Sequence, residues 1–197
     1  MTKILQSSFR ALSGRRSFLR RSGGAVLSAT AIALLAGSES LAAEHKKGGS
    51  SSANDAMILN TLLGGEYEAV AAYQVAAESG LLQKPVLDFA VQFQSQHGAH
   101  AGLLTKTVQR LGGKPVEAKN SADYKFPVQT LKTQTDVLRF AVGLEQGAMH
   151  AYLDAAPRFD HRDLAKAVAS ILGDEAMHFA ILRQALGENP VPEAFVS

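Results

Sequence analysis

Four short motifs recur at matching intervals along this chain: Glu66-x6-Tyr73, His97-x2-His100, Glu145-x6-Tyr152 and Glu175-x2-His178. Glu66 precedes His97 by 31 residues, and Glu145 precedes Glu175 by 30. The second half therefore repeats the first as a two-helix unit. A helix that carries a carboxylate on its apolar stripe must bury it against a partner, because an unpaired buried charge is costly. Glu66 has Leu62, Leu63, Ala69 and Val70 at its helical neighbour positions; Glu145 has Ala141, Val142, Ala148 and Met149; Glu175 has Ile171, Leu172 and Phe179. Three such carboxylates beside histidines point to a metal site, with a hydrogen-bonded polar core as the alternative. His100 and His178 each lie one turn after a site residue, so each pair can reach one ion.

The periodicity predicts an all-α chain, with helices over about 55–79, 85–111, 133–156 and 160–186. Gly80, Gly112-Gly113, Pro157 and Gly187 stop them, Pro85 opens the second, and a cap near Asp160 opens the fourth. Short turns join the first two helices and the last two, while 112–132 forms one long crossover. Its Tyr124, Phe126 and Pro127 should pack it along the bundle.

Upstream, Gly14-Arg15-Arg16-Ser17-Phe18-Leu19-Arg20 and the apolar run 25–36 read as a twin-arginine signal, with Ser40-Leu41-Ala42 as the cleavage site. Residues 1–42 are thus expected to be the signal, 43–54 a Gly/Ser-rich flexible linker, 55–189 the bundle and 190–197 a tail. A periplasmic location follows, with the twin-arginine translocase as a partner during export. Without residues 1–42 the chain carries 14 Lys/Arg and 17 Asp/Glu, a net charge of −3. It has no basic surplus for nucleic acid. It has no cysteine, which excludes thiolate-held zinc and iron–sulfur clusters.

Together these motifs, the crossover and the Pro190-Val191-Pro192 tail resemble the ferritin-like superfamily, nearest to its exported members with twin-arginine signals and more distantly rubrerythrin, bacterioferritin and manganese catalase. The resemblance covers roughly 55–195. It implies an antiparallel four-helix bundle and a metal site of Glu66, His97, His100, Glu145, Glu175 and His178, holding one or two ions of iron or manganese. Where the family's second helix supplies a bridging Glu, this chain has His97, with Gln94 and Gln96 nearby. That departure allows an asymmetric, mononuclear or lapsed site. Tyr73 and Tyr152 read either as core packing or as hydrogen-bond partners of the ligands. His150, His161, Glu68 and Glu78 fall off the site faces or near helix ends, on the surface or behind the ligands. The implied functions are handling of iron, peroxide or oxygen in the cell envelope, metal storage, or a non-catalytic stress or interaction role. Assembly into homo-oligomers is compatible with such a bundle.

Overall fold

The computed structural model describes residues 49–196. Four long helices account for most of them: α1 Gly49–Glu78, α2 Lys84–Arg110, α3 Gln134–Ala155 and α4 Arg162–Ala185. There is no strand among the described residues. The expected signal, 1–42, and the first part of the linker lie outside them.

The helix boundaries follow local chemistry. Pro85 occupies the first turn of α2, where a missing N–H costs no hydrogen bond. Thr133 caps α3 through a reciprocal box with Asp136: the Asp136 N–H donates to Thr133 Oγ1 at 3.2 Å, and the Thr133 N–H donates to Asp136 Oδ2 at 2.8 Å. α2 ends where Gly112 takes a φ of +78°, a left-handed conformation that suits glycine. A Cβ on the next residue, Gly113, would stand 3.0 Å from Ala56 Cβ, so the turn closes tightly onto α1. Pro157 converts the end of α3 into a short 3-10 turn, Ala156–Arg158.

Two expectations are corrected here. α1 begins at Gly49, so the last six residues of the expected linker are helical. Ser52 is buried, and tertiary contact outweighs the weak helix preference of the Gly/Ser run. The cap of α4 is not Asp160. The N-cap position is His161, which makes no side-chain cap. The carboxylate of Asp55, on α1, accepts instead from the N–H groups of Asp160 at 3.0 Å and His161 at 3.2 Å. The His161 ring also pairs with Asp55, and both residues are buried, so His161 is no surface residue.

Apolar side chains form two clusters, one toward each end of the bundle. Leu59, Leu63, Leu104, Val108, Leu164, Val168 and Ile171 build the first. Tyr73, Ala90, Phe93, Leu138, Ala141 and Leu182 build the second. Burying each large aliphatic or aromatic side chain contributes about 1.5–3 kcal/mol. The order in which each helix meets the clusters gives its direction. α1 and α4 run from the first cluster to the second, and α2 and α3 run the other way. Each hairpin is antiparallel, and the crossover must travel the length of the bundle to start α3 at the opposite end. It is held on the way. Asn60 of α1 donates to Lys114 O and accepts from Val116 N, each at 2.9 Å, and Phe126 meets Phe140 of α3 edge-on at 5.8 Å. No helix of the described residues is long and apolar enough to cross a membrane.

Candidate metal centre

All six charged or imidazole side chains singled out in the sequence meet between the two apolar clusters. Glu66, His97, Glu145, Glu175 and His178 are at most 3 % exposed, and His100 is partly exposed. Each helix contributes from its core stripe: Glu66 from α1, His97 and His100 from α2, Glu145 from α3, Glu175 and His178 from α4.

The geometry divides into two halves that share Glu175. In one, His100 Nδ1 lies 3.2 Å from Glu175 Oε1 and 3.6 Å from Glu66 Oε1. In the other, His178 Nδ1 lies 3.6 Å from Glu175 Oε2 and 3.4 Å from Glu145 Oε2. Each oxygen of Glu175 thus faces one half. His97 stands between them, with Nδ1 at 2.8 Å from Glu66 Oε2 and Nε2 at 3.3 Å from Glu145 Oε1. Two four-residue groups have ligand atoms mutually within 4.8 Å: Glu66, His97, His100 and Glu175, and His97, Glu145, Glu175 and His178.

Tyr73 and Tyr152 are hydrogen-bond partners of this cluster as well as core residues. They cross the bundle: the Tyr73 hydroxyl of α1 donates to Glu145 of α3, and the Tyr152 hydroxyl of α3 donates to Glu66 of α1. Burial and the adjoining carboxylates raise both phenols well above their usual range, so both stay donors. Phe93 stacks on the His178 ring at 4.1 Å between centroids and closes that side.

The ionisable groups of the cluster act strongly on one another. Burial disfavours charge on every member, but the mutual contacts outweigh it for most of them. The adjoining His100 and His97 rings hold Glu66 down to about 2 despite its burial. Glu145 is held below the usual carboxylate range by His178 and His97, again against burial. Glu175, fully buried between the others, is raised by that burial. Against the same penalty, carboxylate partners lift His97 to about 10, His100 to about 12 and His178 to about 8.

The donor set fits a metal. Five buried side-chain atoms have no hydrogen-bond partner: His100 Nδ1, His178 Nδ1, Glu145 Oε2, and both oxygens of Glu175. These are the atoms that face one another across the two halves. Buried polar atoms are otherwise almost always hydrogen-bonded, so five at one place without a hydrogen bond fit a cation-binding site.

Sequence reasoning missed Asp174 and, although it placed Gln96 nearby, missed the contact that Gln96 makes with His178. Asp174 Oδ2 lies 3.2 Å from His100 Nε2 and 3.6 Å from His178 Nε2, and Gln96 Oε1 lies 2.9 Å from His178 Nε2. The repeat could have found them, since each immediately precedes the first residue of its helix's site pair. Gln94 reaches α1 instead, donating to Val70 O and Gln74.

The class that fold and site define is a four-helix bundle with one long crossover and, at its centre, a Glu/His cluster that could hold a metal ion. The ferritin-like domain model matches residues 54–188, and the chain belongs to that family. Among solved structures it is similar to a conserved hypothetical protein, rv2844, from Mycobacterium tuberculosis: 20 % identity over 74 % of this chain and 99 % of that one, TM-score 0.63. It is also similar to a ferritin-like, diiron-carboxylate protein from Bacillus anthracis str. Ames: 20 % identity over 70 % and 98 % of the two chains, TM-score 0.56. At this identity the likeness establishes the shared fold. A search of curated proteins finds no match.

Proposed function

We propose that the protein is an exported metal-binding protein holding two divalent ions, iron or manganese, for reaction with oxygen or peroxide. The observation that carries this reading is the set of five buried ligand atoms without a hydrogen bond, on His100, His178, Glu145 and Glu175, that face one another. Glu66, His100 and one oxygen of Glu175 would hold the first ion; Glu145, His178 and the other oxygen would hold the second. Carboxylate-rich oxygen donors with a few imidazoles suit iron and manganese. Such ions supply one-electron redox chemistry toward oxygen or peroxide.

The chain's own groups define the rest. Tyr73 and Tyr152 donate to Glu145 and Glu66 and fix which carboxylate oxygens face inward. Phe93 and the two apolar clusters exclude water from both ends. His100 and Asp174 keep 13 % and 18 % of their side-chain surface exposed, so a small molecule approaches past α2 and α4. His97, between the two halves, can hold a proton against Glu66 or Glu145 where the site takes up or releases charge.

One observation favours a second reading. His97 already contacts both Glu66 and Glu145, which balances those carboxylates without metal. A non-catalytic stress or interaction protein on a retained bundle would look the same. Elemental analysis of natively exported protein separates the two. Near two equivalents of iron or manganese, reduced to about one in Glu145→Ala, support the metal reading; none in the unsubstituted protein supports the second. Export itself rests on Arg15-Arg16, and Arg15→Lys with Arg16→Lys is expected to keep the chain in the cytoplasm.

A further inference from the structure

The duplicated motifs extend one residue further toward the N-terminus than the ligands themselves. Gln96 stands before His97 on α2, and Asp174 stands before Glu175 on α4. Their side chains cross between helices. Asp174 Oδ2 meets His100 Nε2 at 3.2 Å, and Gln96 Oε1 meets His178 Nε2 at 2.9 Å. In each histidine the outer nitrogen is therefore engaged, while the inner Nδ1 is buried without a hydrogen-bond partner and faces carboxylate oxygens. Asp174 also approaches His178 Nε2, but at 3.6 Å it is the more distant partner there.

We propose that Asp174 and Gln96 are positioning residues that hold the proton of His100 and His178 on Nε2, present both Nδ1 lone pairs to the metal, and make the two metal positions unequal. The inference rests on the proposed two-metal reading. Its physical basis is the difference between the two acceptors. Asp174 is a carboxylate and Gln96 a neutral amide. A ligand imidazole that donates its other N–H to a carboxylate is the more basic ligand, and charge-assisted hydrogen bonds are roughly twice as strong as neutral ones. The position served by Glu66, His100 and Glu175 is then the tighter one. The position served by Glu145, His178 and Glu175 is the weaker.

Two substitutions test this from opposite directions. Asp174→Asn keeps an acceptor of the same shape but removes its charge. Gln96→Glu adds a charge where the amide stands. The probe is manganese(II), which does not oxidise during a calorimetric titration, added to metal-free protein of confirmed helical content. The unsubstituted protein is expected to bind two ions in separated steps. Asp174→Asn weakens the tighter step by about ten- to a hundred-fold, the usual cost of losing such a partner, and leaves the weaker step in place. Gln96→Glu strengthens the weaker step by about ten-fold. Both variants narrow the gap, one from above and one from below. A purely structural role would weaken both steps in both variants, and that result overturns the inference, as does no change in either.

A second readout is the position of the histidine protons. Nitrogen-15 spectra of protein loaded with zinc(II), which is diamagnetic and accepts imidazole and carboxylate donors, should show the remaining proton of His100 and His178 on Nε2. In Asp174→Leu the His100 proton should lose that preference. Protons on Nδ1 in the unsubstituted protein overturn the inference even if metal binds. Failure to bind manganese with protons on Nε2 leaves the positioning role standing and overturns the two-metal reading instead.

Discussion

The Tyr73 hydroxyl donates to the carboxylate of Glu145, 72 residues further along the chain and on a different hairpin of the bundle. The contact fixes one oxygen of Glu145 and leaves the other, Oε2, facing His178. Hydrogen bonds to charged groups contribute about 1.5–3 kcal/mol when buried. Tyr73→Phe keeps the ring packing against Phe93 and removes only that donor. The expected result is a loss of about 2 kcal/mol in denaturant unfolding and roughly ten-fold weaker binding at one metal step. Unchanged stability and affinity would mean that Glu145 is held by His97 and His178 alone.

Asp55 gives the second prediction. It is fully buried, accepts the N–H groups of Asp160 and His161, and pairs with the His161 ring. It thereby fastens the start of α1 to the turn between α3 and α4. Asp55→Ala leaves buried donors without partners and is expected to cost about 3–5 kcal/mol in thermal or denaturant unfolding. Metal stoichiometry in the folded fraction should be unchanged, because the first apolar cluster separates this clasp from the ligands. A stability loss below about 1 kcal/mol, the ordinary effect of a surface change, would contradict the clasp.

Four helices, the crossover and the six-residue cluster were legible in the sequence because burial repeats with the helix period. A Glu flanked by Leu62, Leu63, Ala69 and Val70 can only face inward. What stayed hidden has a different origin. Asp55 and His161 lie 106 residues apart, and each has a local explanation, a helix start and a surface turn, that conceals the pair. Asp174 and Gln96 sit beside the apolar stripe rather than on it, so hydrophobic pattern says nothing about them. The first turns of α1 look like a linker by composition, and only the burial of Ser52 and Asp55 against the rest of the fold makes them helical. His97 was visible as a departure from the repeat, but its contact with both Glu66 and Glu145 required coordinates.

The third prediction is a pH profile of the metal-free protein. His178, His97 and His100 are lifted to about 8, 10 and 12 from an ordinary value of 6.5. Stability from their protonation is fully present below pH 6.5 and is lost as pH rises through 8 toward 10 and 12. Glu66 is held down to about 2 from an ordinary 4.5, so its contribution is complete above pH 4.5 and is lost as pH falls toward 2. With chelator present, the melting temperature should be highest between about pH 4.5 and 6.5 and decline above it. Divalent metal should reverse the alkaline decline, because it replaces the protons and its ligands bind deprotonated. Calorimetry in buffers of different ionisation enthalpy should register proton release on binding at pH 7. A metal-free melting temperature that climbs from pH 6.5 to 9 would contradict the assignment.

The last prediction concerns His97. Its ring stands where the two halves of the site meet, 2.8 Å from Glu66 and 3.3 Å from Glu145. In the metal-free protein it is the imidazole that balances both carboxylates. His97→Glu removes that balance and brings a fourth carboxyl group into the same space. Breaking a buried pair in this way costs about 3–5 kcal/mol, so the metal-free variant should unfold at distinctly lower denaturant than its parent. The same change gives α2 a Glu-x2-His pair with His100, mirroring Glu175 and His178 on α4. Iron and manganese favour carboxylate donors, so the variant should bind its second, weaker iron more tightly and oxidise iron faster with oxygen or peroxide. The variant should therefore be weaker than the parent in chelator and gain more from metal, through a larger rise in melting temperature. Unfolding in chelator and in manganese(II), followed by iron titration with absorbance of the oxidised centre, measures both. Tight binding of two irons by the unsubstituted protein, unchanged in His97→Glu, would show that Glu175 alone suffices as the shared carboxylate and that His97 holds no place a bridge needs.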